Sequence, residues 1–461
     1  MKYIIKNGTI VSGKETKTTD ILLEDGMIEK VEENLTNTPI AIDAKIIDAS
    51  GKYVFPGFID AHTHFDLEVS GTVTADDFET GTKAAIVGGT TLVIDFATQN
   101  KGETLKEASS NWHKKADGRC SCDYAFHMAI SDWNQEARRQ IADMMEEGIT
   151  TFKLYMTYPA MILNDGEIYE VLKELKKYGT FAGVHCENAS LIDAFIAEKK
   201  AKGHLGPDSH PLCRPPQVEA EAIHRLLVIA KEADNPVMVV HTTSKAAMEE
   251  IEIARAKGQK VYAETCPQYL LLDDSYFSLP DFKGANYVCS PPMRKSADQD
   301  YLWEALKLDE IQTISTDHCS FTTEQKKMGI HDFTKIPNGM PGVETRGELM
   351  YTYGVGQGKI TLEQMCRLLS ETPARLYGCY PQKGCIAPGS DGDITIIDPH
   401  KTKTIRAEKQ MQNVDYAPFE GFEIKGCVDS VFLGGKLVVE DGKLVKVNQG
   451  RFISRRQPEL L

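Results

Sequence analysis

Val54-Phe55-Pro56-Gly57-Phe58-Ile59-Asp60-Ala61-His62-Thr63-His64 begins as an apolar, β-prone run and ends in two histidines one residue apart. Seven further short runs of the same kind follow, at residues 90–95, 124–130, 150–154, 181–184, 237–240, 261–263 and 311–315. Between them lie longer stretches of helical composition, such as residues 171–177, 218–231 and 245–256. Strands alternating with helices predict a parallel sheet, and eight repeats over about 270 residues predict a (β/α)8 barrel. A doubly wound open sheet would give the same alternation. What ends each run separates the two. The first run ends in His62 and His64, the fourth carries Lys153, the fifth ends in His185, the sixth in His241 and the eighth in Asp317. In a barrel, the C-terminal ends of all strands face one pocket, so these groups converge. An open sheet would spread them along a crevice.

The residue types fit a metal centre. Alternation along a strand puts both imidazoles of His62 and His64 on one side, where they can hold one ion at ~2.0–2.1 Å. His185 or His241 taken alone reads as a structural histidine; their shared place after apolar runs makes them a set. Lys153 is the odd member, because an ordinary lysine (pKa near ~10.4) is an ammonium without a lone pair for metal. On its own it reads as half of an ion pair. Were its amine to capture carbon dioxide, the carbamate would offer two anionic oxygens able to bridge two cations. Asp317 reads either as a capping carboxylate beside His318 or as a ligand that also moves a proton.

Outside the alternating middle, both ends of the chain look like β structure. Asn7-Gly8 lies between Tyr3-Ile4-Ile5 and Thr9-Ile10-Val11, and Asp25-Gly26 and Asp441-Gly442 follow similar runs. These dipeptides are strong hairpin signals, and the two ends are expected to meet in one small domain. We therefore expect residues 1–51 and 380–446 to form a β-sandwich, residues 52–379 the barrel, and 447–461 a C-terminal tail. The composition is globular, with 41% hydrophobic and 26% charged residues and a formal net charge of -15. That charge argues against nucleic acid as a partner, and no apolar run is long enough to span a bilayer. The eleven cysteines form no CxxC pair and read as reduced cytosolic thiols; Cys120 and Cys122 have no assigned role.

The motifs together resemble the dihydropyrimidinase and hydantoinase family of cyclic amidohydrolases, within the amidohydrolase superfamily, over nearly the whole length. They run from Gly57-Phe58-Ile59-Asp60-Ala61-His62-Thr63-His64-Phe65 and Gly88-Gly89-Thr90-Thr91 through Phe152-Lys153, Val184-His185-Cys186-Glu187 and Val240-His241-Thr242. Ser290-Pro291-Pro292-Met293-Arg294, Thr316-Asp317-His318-Cys319, Ile336-Pro337-Asn338-Gly339 and residues 384–393 complete them. The resemblance implies a (β/α)8 barrel plus a β-sandwich built from both termini. It implies two Zn2+ per subunit: one held by His62, His64 and Asp317, the other by His185 and His241. Carboxylated Lys153 would bridge them, and Mn or Fe would also suit the donors. Tyr158, Ser290 and Asn338 match substrate-holding positions, with Asp317 and Tyr158 catalytic. Without the resemblance, Tyr158 would read as a packed aromatic beside Pro159. Ser320 departs from the proline that many relatives carry after Asp-His-Cys.

The implied reaction is hydrolysis of a 5,6-dihydropyrimidine or 5-substituted hydantoin to an N-carbamoyl amino acid, by a cytoplasmic homotetramer of pyrimidine degradation. An allantoinase-like reaction is the alternative. A dihydroorotase-like reading predicts an arginine two residues after His64, where Asp66 stands. A non-catalytic scaffold of the same fold would have lost ligands that this chain keeps. Residues 65–72 are expected to line the pocket.

Overall fold

The computed structural model describes residues 2–461. Eight strands form one wholly parallel sheet: β1 (Phe58–Thr63), β2 (Thr90–Thr98), β3 (Asp123–Ala129), β4 (Phe152–Tyr155), β5 (Ala182–His185), β6 (Val237–Val239), β7 (Val261–Thr265) and β8 (Thr313–Ile314). They are hydrogen-bonded in sequence order from β1 to β8. Helices connect them, among them Asp165–Lys177, Pro216–Ala233 and Lys245–Ala256. The seam between first and last strands is closed by a parallel bridge between Thr63 and His318 and by the His64 N–H donating to the His318 carbonyl at 2.8 Å. Asp60 adds to it, accepting from the Thr316 N–H and hydroxyl at 3.1 and 2.7 Å. The open-sheet alternative is thereby excluded.

Inside, Ile59, Ala61, Leu92, Ile94, Ala125, Phe181, Met238, Val240 and Tyr262 pack into one buried cluster. The β1–β2 pairing shifts register between Asp60 and Thr63. Such a bulge re-aims the side chains that follow it. Ala61 lines a small cavity in the barrel floor, while His62 and His64 both reach the larger pocket above.

The two chain ends meet in a single nine-stranded sheet. Its N-terminal half contains Lys2–Val11, Thr16–Glu24 and Met27–Glu32; its C-terminal half contains Ile394–Thr404, Glu423–Leu433 and Lys436–Glu440. Tyr53–Pro56 joins them, parallel to the first strand and antiparallel to Ile394–Thr404. The expected first barrel run (54–59) is thus split at Gly57 between the two sheets. The sheet also folds over on itself. Tyr3 and Phe432 lie three strands apart in its order, a distance of ~14 Å were it flat, yet their rings are 5.2 Å apart. Its inner face encloses a core of its own, with Ile5, Ile21, Leu23, Val54, Ile394 and Ile396 fully buried or nearly so.

One expected hairpin is not there. Lys2–Val11 is a single strand, and Asn7-Gly8 marks a bulge in its pairing with Thr16–Glu24. Asn7 takes φ +57° and its N–H turns aside to Asp20 Oδ1 at 2.8 Å. The same left-handed geometry that makes a tight turn also makes a bulge, and only the partner strand decides between them. Asp25-Gly26 and Asp441-Gly442 do form hairpins.

Candidate metal centre and active site

At the C-terminal mouth of the barrel lies a pocket of about 380 Å³. It is lined by all six expected ligands, His62, His64, Lys153, His185, His241 and Asp317, and by Tyr158, Ser290 and Asn338. Asp317 is the hub, its Oδ1 lying 3.2 Å from His62 Nε2 and 3.1 Å from His64 Nε2. Lys153 Nζ is 3.4 Å from the same His62 nitrogen. The His241 ring stands 4.5 Å from His185 and 5.4 Å from His62, centroid to centroid. Ligand atoms of His62, His241 and Asp317 all lie within 4.8 Å of one another. Such a mixed N/O donor set suits a divalent first-row cation. The ring atoms His64 Nδ1 and His241 Nδ1 are buried without any partner. Buried donors and acceptors are costly to leave unpaired, and a cation among these rings gives such a crowded set of imidazoles a purpose.

Electrostatics follow from burial. Burial holds His64 down at about 4 and keeps His185 and His241 below the usual histidine range. Neutral imidazoles are the metal-binding form. Burial also lowers His62, as does Lys153, but the Asp317 and Glu264 carboxylates outweigh both and the net shift is upward. For Asp317 burial raises the pKa, and the neighbouring His62 and His64 reverse this, keeping it a carboxylate. Lys153 is lowered to about 8 by burial, which enlarges its neutral amine fraction.

Several residues that the sequence reading passed over hold this set in place. Glu264, in β7, sits 2.7 Å from His62 Nδ1 and accepts the Ser315 hydroxyl at 2.9 Å. Glu187 takes His185 Nε2 at 2.8 Å and is itself gripped by Arg214. A carboxylate on the far nitrogen of a ligating histidine fixes its tautomer and orientation. Signals for both existed: Glu264 directly follows the seventh apolar run, and Glu187 stands two residues after His185 on the same strand end. Within the expected segment 65–72, Leu67, Val69 and Ser70 line the pocket, and Met161, Ile192 and Ile196 face it from other loops. Asp66 is not among the lining residues. All eleven cysteines are unpaired, Cys120 and Cys122 among the buried ones, and Cys319 lines the pocket.

A second carboxylate cluster, Asp123, Asp391 and Asp393, is filled by a side chain. Lys383 Nζ lies 2.5, 2.9 and 2.5 Å from the three carboxylates.

Fold and site together define a (β/α)8 barrel with a candidate metal centre, whose strand ends present histidines, a lysine and an aspartate to one pocket. Comparison with known proteins makes this specific. Residues 53–438 match the model of the amidohydrolase family. The D-hydantoinase of Geobacillus stearothermophilus is 44% identical over 459 residues, covering 99% of this chain and 97% of the relative. D-phenylhydantoinase of Escherichia coli strain SE11 is 40% identical over 99% of this chain and 98% of its own. The crystal structure of dihydropyrimidinase from Brevibacillus agri NCHU1002 superposes with a TM-score of 0.97 at 42% identity, covering 99% of both chains. The chain belongs to the amidohydrolase family and is a cyclic amidohydrolase of the hydantoinase and dihydropyrimidinase type. Hydantoinases of this family are metal-dependent, and the residues described here are the candidates to hold that metal. Among the described residues, no helix is long and apolar enough to cross a membrane.

Proposed function

We propose that this enzyme opens the ring of 5,6-dihydropyrimidines or 5-substituted hydantoins, releasing N-carbamoyl amino acids. The observation that carries this reading is the meeting of six ligand-type side chains with Tyr158, Ser290 and Asn338 around one pocket. His62, His64 and Asp317 would hold one Zn2+, and His185 and His241 a second. Lys153 would bridge them as a carbamate, formed when its neutral amine bonds to carbon dioxide and loses a proton. When bound, the cations supply Lewis-acid chemistry, lowering the pKa of water toward ~7 and polarising a carbonyl.

The chain's own residues do the rest. Asp317, an acceptor at neutral pH, takes a proton from the attacking water and passes it to the ring nitrogen as the C–N bond breaks. The water oxygen becomes part of the new carboxylate. The Tyr158 hydroxyl, kept protonated because burial pushes its pKa up, donates to the carbonyl oxygen as negative charge gathers there. The backbones around Ser290 and Asn338 receive the ring's amide and imide groups. Leu67, Val69, Met161, Ile192 and Ile196 give the 5-substituent an aliphatic wall, which favours alkyl or aryl groups over allantoin's polar ureido group. The names of the D-hydantoinase relatives support a preference for the D enantiomer. Likeness to the family likewise supports a cytoplasmic homotetramer.

The direct test is hydrolysis of 5,6-dihydrouracil, a 5-substituted hydantoin and allantoin by zinc-loaded protein. Turnover of either of the first two at a kcat/KM of ~10⁴ M⁻¹s⁻¹ or more is expected. Turnover of allantoin alone, or of no ring with two metals bound per chain, refutes the proposal.

A further inference from the structure

One buried cation lies outside the ligand set. Lys326 ends the single-turn helix Thr323–Lys326 and is fully buried. Its Nζ donates to three backbone carbonyls, those of Val288 at 2.9 Å, Pro337 at 2.7 Å and Gly339 at 2.7 Å. These come from two separate segments. Val288 precedes Ser290 by two residues, and Pro337 and Gly339 flank Asn338. All three ammonium donors are therefore spent on the backbone that presents Ser290 and Asn338 to the pocket. The same segments are tied directly by the Gly339 N–H donating to the Val288 carbonyl at 2.9 Å. Below the ammonium lies the Phe321 ring, its centroid 5.5 Å away. Among the described residues no carboxylate pairs with it.

Burying an ammonium without a counter-ion is expensive, and a methionine of similar length would fill the space without that penalty. What the lysine adds is three directed bonds that set the spacing of two segments. We propose that Lys326 is a positioning residue for ring binding, holding the Ser290 and Asn338 segments at the separation the cyclic substrate requires. This rests on the proposed cyclic-amide reaction, in which those segments receive the ring.

The role also carries a pH signature. Burial lowers Lys326 to about 7. The titratable groups facing it are the Cys289 and Cys319 thiols, both kept protonated because burial raises their pKa, and the His210 imidazole, which burial keeps neutral. Once its ammonium loses a proton, only two donors remain for three carbonyls, and the grip loosens as pH rises through neutrality.

The test is Lys326→Met beside wild type, with KM and kcat for 5,6-dihydrouracil measured from pH 6 to 8.5, together with metal content per chain. Expected are a KM raised at least tenfold at pH 6.5, kcat changed less than threefold, and unchanged metal stoichiometry. Wild-type KM is expected to rise between pH 6.5 and 8.5, while that of the variant stays flat. A variant KM within twofold of wild type overturns the proposal, as does equal loss in kcat and KM accompanied by metal loss, which marks a merely structural role. Should Lys326→Met fail to fold, Lys326→Gln, whose amide keeps two donors, is measured in its place, and a KM within twofold of wild type at pH 6.5 overturns the proposal. Failure of wild type to open any ring refutes the reaction itself and is read separately.

Discussion

Tyr158, His241 and Asp317 sit at φ +69°, +39° and +51°, in a backbone region that non-glycine residues seldom occupy. Holding such conformations costs of order 1–3 kcal/mol each, and they persist where surrounding structure over-determines them, often at functional sites. Here the three lie on different strand-end loops and line the same pocket. Each backbone is turned so that its side chain joins the set. Tyr158→Phe keeps the ring contact with His185, 5.1 Å between centroids, and removes only the hydroxyl. We expect kcat to fall about 100-fold, the usual effect of losing one oxyanion donor, with metal content unchanged; a kcat within threefold of wild type would exclude the donor role. Lys153→Ala is expected to abolish the proposed dinuclear centre and activity together, read by metal analysis alongside turnover. Full turnover with both metals retained would sink the bridging role. At this scale the sequence was informative because five of the six candidate ligands follow an apolar run and the sixth, Lys153, lies within one. Glu264 and Glu187 stand at such ends too, but what reveals them is the direction of an imidazole's second nitrogen, which only the folded chain defines.

Between elements, the barrel's closure depends on a few polar side chains. Arg346, wholly buried, donates to the Ile59 and Ile314 carbonyls at 2.7 Å each and so clamps β1 to β8. Nearby, Glu344 fastens the barrel to the terminal domain, its Oε2 accepting the Met411 N–H at 2.6 Å. Burial raises Glu344 to about 8, so in the folded protein it is protonated at neutral pH whereas an unfolded glutamate is not. The folded state then binds the extra proton, and stability declines as pH climbs from about the usual glutamate pKa of ~4.3 toward 8. Glu344→Gln keeps the acceptor without a charge. It is expected to flatten that decline and to raise the urea midpoint at pH 8 relative to wild type. Identical pH profiles for the two proteins would contradict the assignment. Strand alternation along the sequence revealed the barrel's eight members but not where one sheet gives way to another. The run at 54–59 changes sheets at Gly57, and the Asn7-Gly8 bulge was indistinguishable from a turn. The first outcome depends on a partner strand more than 300 residues away, Ile394–Thr404, and the second on how the neighbouring strand Thr16–Glu24 aligns.

On the scale of the whole molecule, the two β-rich ends and the barrel are joined by the last residues of the chain. Arg451 pairs with Asp391 at 2.9 Å, and its N–H reaches Asp123 Oδ1 at 2.9 Å, both in the cluster around Lys383. Phe452 packs on Tyr124 and Phe126, with centroids 5.8 and 5.6 Å apart. Arg455 is buried under the barrel, donating to Thr151 Oγ1 at 2.7 Å and to the Tyr377 and Phe126 carbonyls. From there a chain of bonds runs up into the barrel floor. His127 Nε2 lies 3.0 Å from the Ala61 carbonyl, so that nitrogen carries the proton, and Nδ1 accepts from the Thr151 hydroxyl at 2.6 Å. Ala61 adjoins His62, so the tail and the first candidate metal ligand share one connected network. Arg455→Met would take this donor from two buried carbonyls, those of Tyr377 and Phe126, at about 1–3 kcal/mol per unsatisfied group, while the Thr151 hydroxyl keeps its bond to His127. We expect it to lower unfolding stability by at least ~2 kcal/mol, measured by urea denaturation at matched metal loading. Deleting residues 451–461 should cost more, since it also uncovers Tyr124 and Phe126. A tail that merely decorated the surface would give equal midpoints for all three proteins. Burial of Arg455 beneath the barrel argues for the opposite ordering, with the truncated chain least stable and Arg455→Met between it and wild type.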